Sequence, residues 1–122
     1  MKIKALSVLA PWGRKIAEGR KTVEVRSWMP QGLAAGEDLL IIENTRPLIQ
    51  EGDEDPLGRA TAMVKILRVR PFLMSDLEAS GASRFEPGWY AWELGDVRVV
   101  DLDRPFRAAR RIYEVEVPEW EE

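Results

Sequence analysis

The 122-residue chain contains no cysteine and no histidine. The first absence excludes disulfides, a thiol nucleophile and any thiolate metal site. The second removes the commonest general base and most zinc ligand sets, and with them a Ser-His-Asp triad. No stretch approaches the roughly 20 apolar residues that a membrane-spanning helix needs. The start, Met1-Lys2-Ile3-Lys4-Ala5-Leu6-Ser7, has too short an apolar run for a signal peptide and reads as a strand. These features lead us to expect a cytoplasmic protein with no cofactor, no metal and no membrane partner. Side-chain amides are scarce as well, with one Asn and two Gln beside no Cys, a composition with a thermophile tendency.

What is present suits one domain over residues 1–122, because 45% hydrophobic content in a chain of this length supports one core. Residues 118–122 read as a charged, frayed tail. The net charge of −3 conceals an asymmetry: residues 1–26 hold seven Lys/Arg against two Glu, while the remainder holds 11 basic against 19 acidic residues. An anionic ligand is therefore expected near the first region. Asp53-Glu54-Asp55 is the one dense acidic cluster before the tail, and it reads as a solvated loop.

The richest segment is Gly19-Arg20-Lys21-Thr22-Val23-Glu24-Val25-Arg26-Ser27-Trp28, which places an amine, a carboxylate and a guanidinium within six residues. Before it, Ile3–Val8 reads as a strand and Pro11–Glu18 as a short helix. Trp12 and Ile16 share one face of that helix, and Gly19 stands just past its end, where φ is often positive. Thr22–Trp28 alternates as a strand, with Thr22, Glu24, Arg26 and Trp28 on one face and Val23 and Val25 on the other. Leu39-Leu40-Ile41-Ile42 is a continuous apolar run, as expected of a strand buried on both sides. The stretch from Asn44 to Gly58 reads as a mobile insertion. Ala60–Val69 reads as a long strand whose alternation slips near Ile66-Leu67, the mark of a bulge or bend. Leu73–Ser80 is expected to be a short helix followed by Gly81. Trp89–Leu94 reads as a strand, Gly95-Asp96 as a two-residue hairpin turn into a strand over Val97–Asp103, and Ile112–Val117 as the closing strand. Arg104, Arg107, Arg110 and Arg111 form a second basic cluster, read as a solvated loop or a phosphate-contacting one. The pattern predicts a mainly β chain of the α+β class: a small antiparallel β-barrel with one N-terminal helix and a short second helix.

Ala5-Leu6-Ser7-Val8 with Pro11-Trp12, then Gly19-x-Lys21-x-x-Glu24-x-Arg26, resembles the ASCH domain family of the PUA-like superfamily. Gly58-Arg59-Ala60 and Pro87-Gly88-Trp89-Tyr90-Ala91-Trp92 are similar to later segments of that family. The resemblance covers most of the chain. It implies a PUA-like barrel with a cleft between the first helix and the motif strand, and an RNA- or nucleotide-related role. Some members resemble amidohydrolases acting on N4-acetylcytidine, with a Lys where Lys21 stands and a nucleophilic Thr three residues on. Here that position is Glu24, a departure from the amidase pattern.

As a recognition set, Lys21 and Arg26 suit a phosphate, and Glu24 suits the exocyclic amine of a base. Trp12, Tyr90 and Trp92 are candidate stacking surfaces, with Trp28 a further aromatic nearby; large aromatics also fill cores. The candidate ligand-binding residues are thus Trp12, Lys21, Glu24, Arg26, Tyr90 and Trp92. As a catalytic set, Glu24 would act as general base and Lys21 as acid or electrostatic stabiliser. Three readings stand: an RNA- or nucleotide-binding domain; a hydrolase using the same cleft, either an amidohydrolase on a modified nucleoside or a ribonuclease; and a protein-interaction module in which the motif is structural.

Overall fold

The computed structural model describes residues 1–118. All but the first residue of the expected tail therefore lies outside the described residues. In chain order the elements are β1 (Lys2–Leu9), α1 (Trp12–Ala17), β2 (Val23–Arg26), β3 (Leu39–Asn44), β4 (Glu54–Pro71), a 3-10 turn (Met74–Asp76), α2 (Leu77–Ser80), β5 (Tyr90–Val99), β6 (Phe106–Ala109) and β7 (Ile112–Glu116). The chain is mainly β with two small helices. No helix among the described residues is long and apolar enough to cross a membrane.

The backbone pairing runs β2-β5-β4-β3-β1-β7, and β6 pairs with the first part of β4. This corrects the expected barrel: β2 and β7 end the path, and among the described residues no ladder joins them. All the pairings are antiparallel except β1 with β3, which run parallel from Lys4↔Leu39 to Leu9↔Asn44. The sheet centre is buried on both faces, as the run Leu39–Ile42 predicts. Leu40 and Ile42 join one cluster with Ala5, Met63, Phe106 and Val115; Leu39 and Ile41 join the other with Leu6, Ile16, Val64 and Trp92. Alternate side chains point to opposite faces of a strand, so a strand covered on both sides needs apolar residues at every position.

Two further expectations change. Gly95-Asp96 does not reverse the chain, because β5 continues through it to Val99. The positive φ expected of a turn is there, 47° at Asp96, but it serves a bulge: Lys65 pairs with Gly95, and Met63 pairs with Arg98. A second register shift falls between Ile66 and Arg68, where the sequence alternation slips. The proposed insertion before Gly58 also contains structure, because β4 begins at Glu54 and pairs there with β6. β6 is four residues long and set among arginines, so neither length nor alternation announces it.

The helix α1 has six residues and is too short to persist alone. Ile16, fully buried, anchors it. The Glu43 carboxylate on β3 accepts from the Arg14 N–H at 2.8 Å and satisfies one of the unpaired donors of its first turn. The far end closes as a Schellman motif: Gly19 N–H donates to Ile16 C=O at 3.0 Å, and Arg20 N–H to Lys15 C=O at 2.8 Å. Gly19 has φ 75°, as expected. Lys21 N–H donates to the same Lys15 carbonyl at 3.1 Å, which fixes where the motif lysine leaves the helix.

Gly19 and Gly81 give a comparison with a clear outcome. Both have φ near 75°, at 75° and 73°, but a Cβ on Gly19 meets nothing within 4 Å, whereas one on Gly81 lies 2.3 Å from the Trp12 ring. Gly19→Ala is expected to cost about 1–2 kcal/mol, the left-handed backbone penalty alone. Gly81→Ala must in addition displace the indole, so its urea midpoint should fall clearly further; equal midpoints would remove Trp12 as a packing constraint.

Candidate functional site: a cationic cleft around the motif

The motif arrangement begins with Lys21, which is only 6% exposed. Its ammonium donates to the Val23 carbonyl at 2.8 Å and to the Ser80 carbonyl at the end of α2, and it lies 3.1 Å from Glu24 Oε1. Three donors thus meet three acceptors. Glu24 Oε2 accepts from Arg26 Nε at 2.6 Å. Arg26 Nη2 then donates to the Ser7 carbonyl on β1 at 2.8 Å. The motif on the edge strand β2 therefore ties α2 to β1. The sheet is open in its ladder, but side chains bridge its curled end.

Burial pushes the Glu24 carboxyl up, but the fields of Arg26 and Lys21 and their hydrogen bonds outweigh it and hold its pKa below the ordinary carboxylate value. Glu24 is thus ionised at neutral pH with both oxygens engaged. Such a carboxylate is a weak base and no acid, and the amine beside it has no uncommitted proton. Two cations against one anion leave the cluster with a net positive charge. That excess sits on Arg26, whose Nη1 makes no hydrogen bond among the described residues.

Two clefts meet at Arg26. The smaller, about 150 Å³, is lined by Trp12, Lys21, Glu24, Arg26 and the Ser80–Ala82 backbone region, among others. The larger, about 250 Å³, is lined by Ser7, Arg26, Trp28, Arg110 and Arg111, with apolar walls from Val8, Leu9 and Leu48. Trp12, Lys21, Glu24 and Arg26 are therefore together, as expected. Tyr90 and Trp92 line neither cleft. Trp92 is fully buried, which corrects its assignment as a stacking surface: it pairs across from Glu24 and packs edge-on against Trp28 at 5.1 Å. Tyr90 is half-buried against the same core cluster.

Sequence reasoning passed over Ser7 and Ser80, which contribute through backbone carbonyls and carry no type signal. It also grouped four arginines that the fold separates. Arg104 donates to the Glu116 carbonyl at 2.8 Å, and Arg107 pairs with Glu54 at 2.8 Å. Arg110 and Arg111 instead line the larger cleft. The cue available was their position immediately before the alternating run that begins at Ile112. No three acidic side chains are placed to hold a metal ion among the described residues.

Fold and site together define a small α+β domain with an open, cationic, aromatic-edged cleft. The family model of the ASCH domain matches residues 6–121, and the chain belongs to that family. Among curated proteins no match is found.

Replacing Glu24 by Gln leaves Lys21 and Arg26 without their counter-ion, and removing one partner of a buried pair costs about 3–5 kcal/mol. Because the folded-state pKa of Glu24 lies below its unfolded value, its contribution is present above about pH 4.5 and is lost as pH falls through the folded pKa. Denaturant titrations of the two proteins should therefore converge on acidification, with the wild type losing more stability than Glu24→Gln. Parallel curves down to pH 3 would show that Glu24 is not held ionised by its neighbours.

Proposed function

We propose that this ASCH domain binds single-stranded RNA, or a single unpaired nucleotide, in the two-part cleft that meets at Arg26. The carrying observation is the net positive charge of the buried Lys21–Glu24–Arg26 cluster, presented to the cleft by a guanidinium with an unengaged nitrogen. Arginine presents its donors in a planar fork that matches phosphate oxygens. Lys21 and Glu24 act by holding that guanidinium in place, and Trp12 supplies an apolar wall beside it. We read the open sheet as PUA-like, with side chains bridging the gap that its backbone pairing leaves. Membership of the ASCH family is consistent with an RNA-binding role. The geometry favours binding over hydrolysis, because Glu24 and Lys21 have no free acid or base function to offer.

Fluorescence anisotropy with a labelled hexauridylate tests this across a salt series. Affinity should fall with salt, and Arg26→Ala should weaken binding and flatten the log–log slope by about 0.7, the value for one phosphate contact on a single strand. Thermal melting of the variant separates lost contact from lost fold. Binding that is indifferent to salt and to Arg26 would remove the proposal.

A further inference from the structure

Between β6 and β7 the chain turns on Arg110 and Arg111, and Arg111 has φ 61°. A non-glycine residue in this region persists when its surroundings hold it there, and such positions cluster at functional sites. Arg111 sits beside Trp28. Its guanidinium lies over that indole at 4.9 Å, and Arg26 approaches the same ring at 5.7 Å. Trp28 is seated edge-on against the buried Trp92, so the platform rests on the core. Trp28 therefore serves to orient guanidinium groups rather than to offer an open stacking face.

Of the three guanidinium groups lining this cleft, Arg26 is paired with Glu24, and the other two have no ion-pair partner among the described residues. Arg110 and Arg111 make no hydrogen bond or ion pair among the described residues, in contrast to Arg104 and Arg107 of the same segment. The acids across the turn, Glu51 and Asp53, line a separate cavity with these arginines and pair with neither. Asp53 accepts from the Ile49 and Gln50 N–H groups at 3.0 and 2.8 Å; these bonds hold its pKa below the ordinary value, and the Arg110 charge adds to this at longer range without forming a salt bridge. Three guanidinium groups thus converge on about 250 Å³ with no carboxylate lining it. An internal phosphodiester brings one negative charge. A phosphomonoester brings about 1.5–2 at neutral pH, with three strong acceptor oxygens. The cleft also falls below the roughly 300–1,000 Å³ of pockets that enclose a drug-sized ligand, a size that suits a phosphate and part of its sugar.

We infer that the cleft formed by Arg26, Arg110 and Arg111 on the Trp28 platform binds the phosphomonoester of a nucleotide, either the terminal phosphate of an RNA strand or a free mononucleotide. The inference rests on the reading of this domain as an RNA or nucleotide binder. It adds a site at the β6–β7 turn, outside the motif, and a preference among ligands.

The test compares 5′-phosphorylated, 3′-phosphorylated and unphosphorylated hexauridylate with free uridine monophosphate, by calorimetry on the native protein, Arg111→Gly and Arg110→Ala. Glycine adopts a positive φ without steric cost, so Arg111→Gly removes the guanidinium and keeps the turn. The native protein should prefer a phosphorylated strand by about tenfold, the worth of a charge-assisted hydrogen bond, and both variants should lose that preference. Equal affinity for all three strands, unchanged in Arg111→Gly, overturns the inference and leaves RNA binding standing. Binding of the monophosphate that needs Arg111, with no strand bound, upholds the inference and removes strand binding. If none of the four ligands binds, both fall.

Discussion

The arrangement around the motif depends on a buried relay of charge from the Ser80 carbonyl through Lys21, Glu24 and Arg26 to the Ser7 carbonyl. Its members lie on the end of α2, on the segment leading into β2, on β2 and on β1. An ammonium almost removed from water is costly unless every donor finds an acceptor. Here Glu24 supplies the counter-charge, and two carbonyls supply the rest. The relay also does what backbone pairing does not: it joins the edge strand β2 to β1 across the open end of the sheet. Charge pairing and sheet curvature are therefore one feature, and the clefts form where it reaches the surface.

The elements around the relay act to hold its ends. The Schellman closure of α1 delivers Lys21, and the Thr22 N–H donates to the Ala79 carbonyl at 2.9 Å, setting α2 against the entry to β2. The segment before α2 is held in turn by Asp76, which takes a bidentate pair from Arg70 at 2.8 Å for each bond and an N–H from Leu73 at 2.8 Å. Hydrogen bonding from Arg70 holds the Asp76 carboxyl below its ordinary range despite partial desolvation. Gly81 then admits the Trp12 ring. The buried polar residues around the motif thus fix its geometry.

Much of the fold is legible in local sequence, for reasons that can be named. The run Leu39–Ile42 shows a strand covered on both faces, Gly19 shows a helix end, and the broken alternation at Ile66-Leu67 shows a bulge. Each signal resides in neighbouring residues and survives without knowledge of the partner strand. Gly95-Asp96 misleads because a residue of positive φ serves equally for a reversal or a bulge, and the choice belongs to β4, which pairs along both halves of β5. β6 is silent because four residues among arginines carry too little pattern, and its strand character comes from Glu54 and Asp55 opposite it.

The sequence by itself determined which chemistry is excluded, the mainly β character with its short helices, and the pairing of Glu24 with Arg26, since two residues apart on one strand share a face. Tertiary structure alone decided what each of them faces. Alternation puts Glu24, Arg26 and Trp28 on one side, but only the curl of the sheet turns that side toward Ser7 and buries Lys21 behind it. Only the return of β6 and β7 separates Arg110 and Arg111 from Arg104 and Arg107 and sets Arg111 over Trp28. Side-chain direction is a local property of the backbone; the company a side chain keeps depends on contacts between residues far apart in the chain, such as Arg26 and Arg111 around one indole.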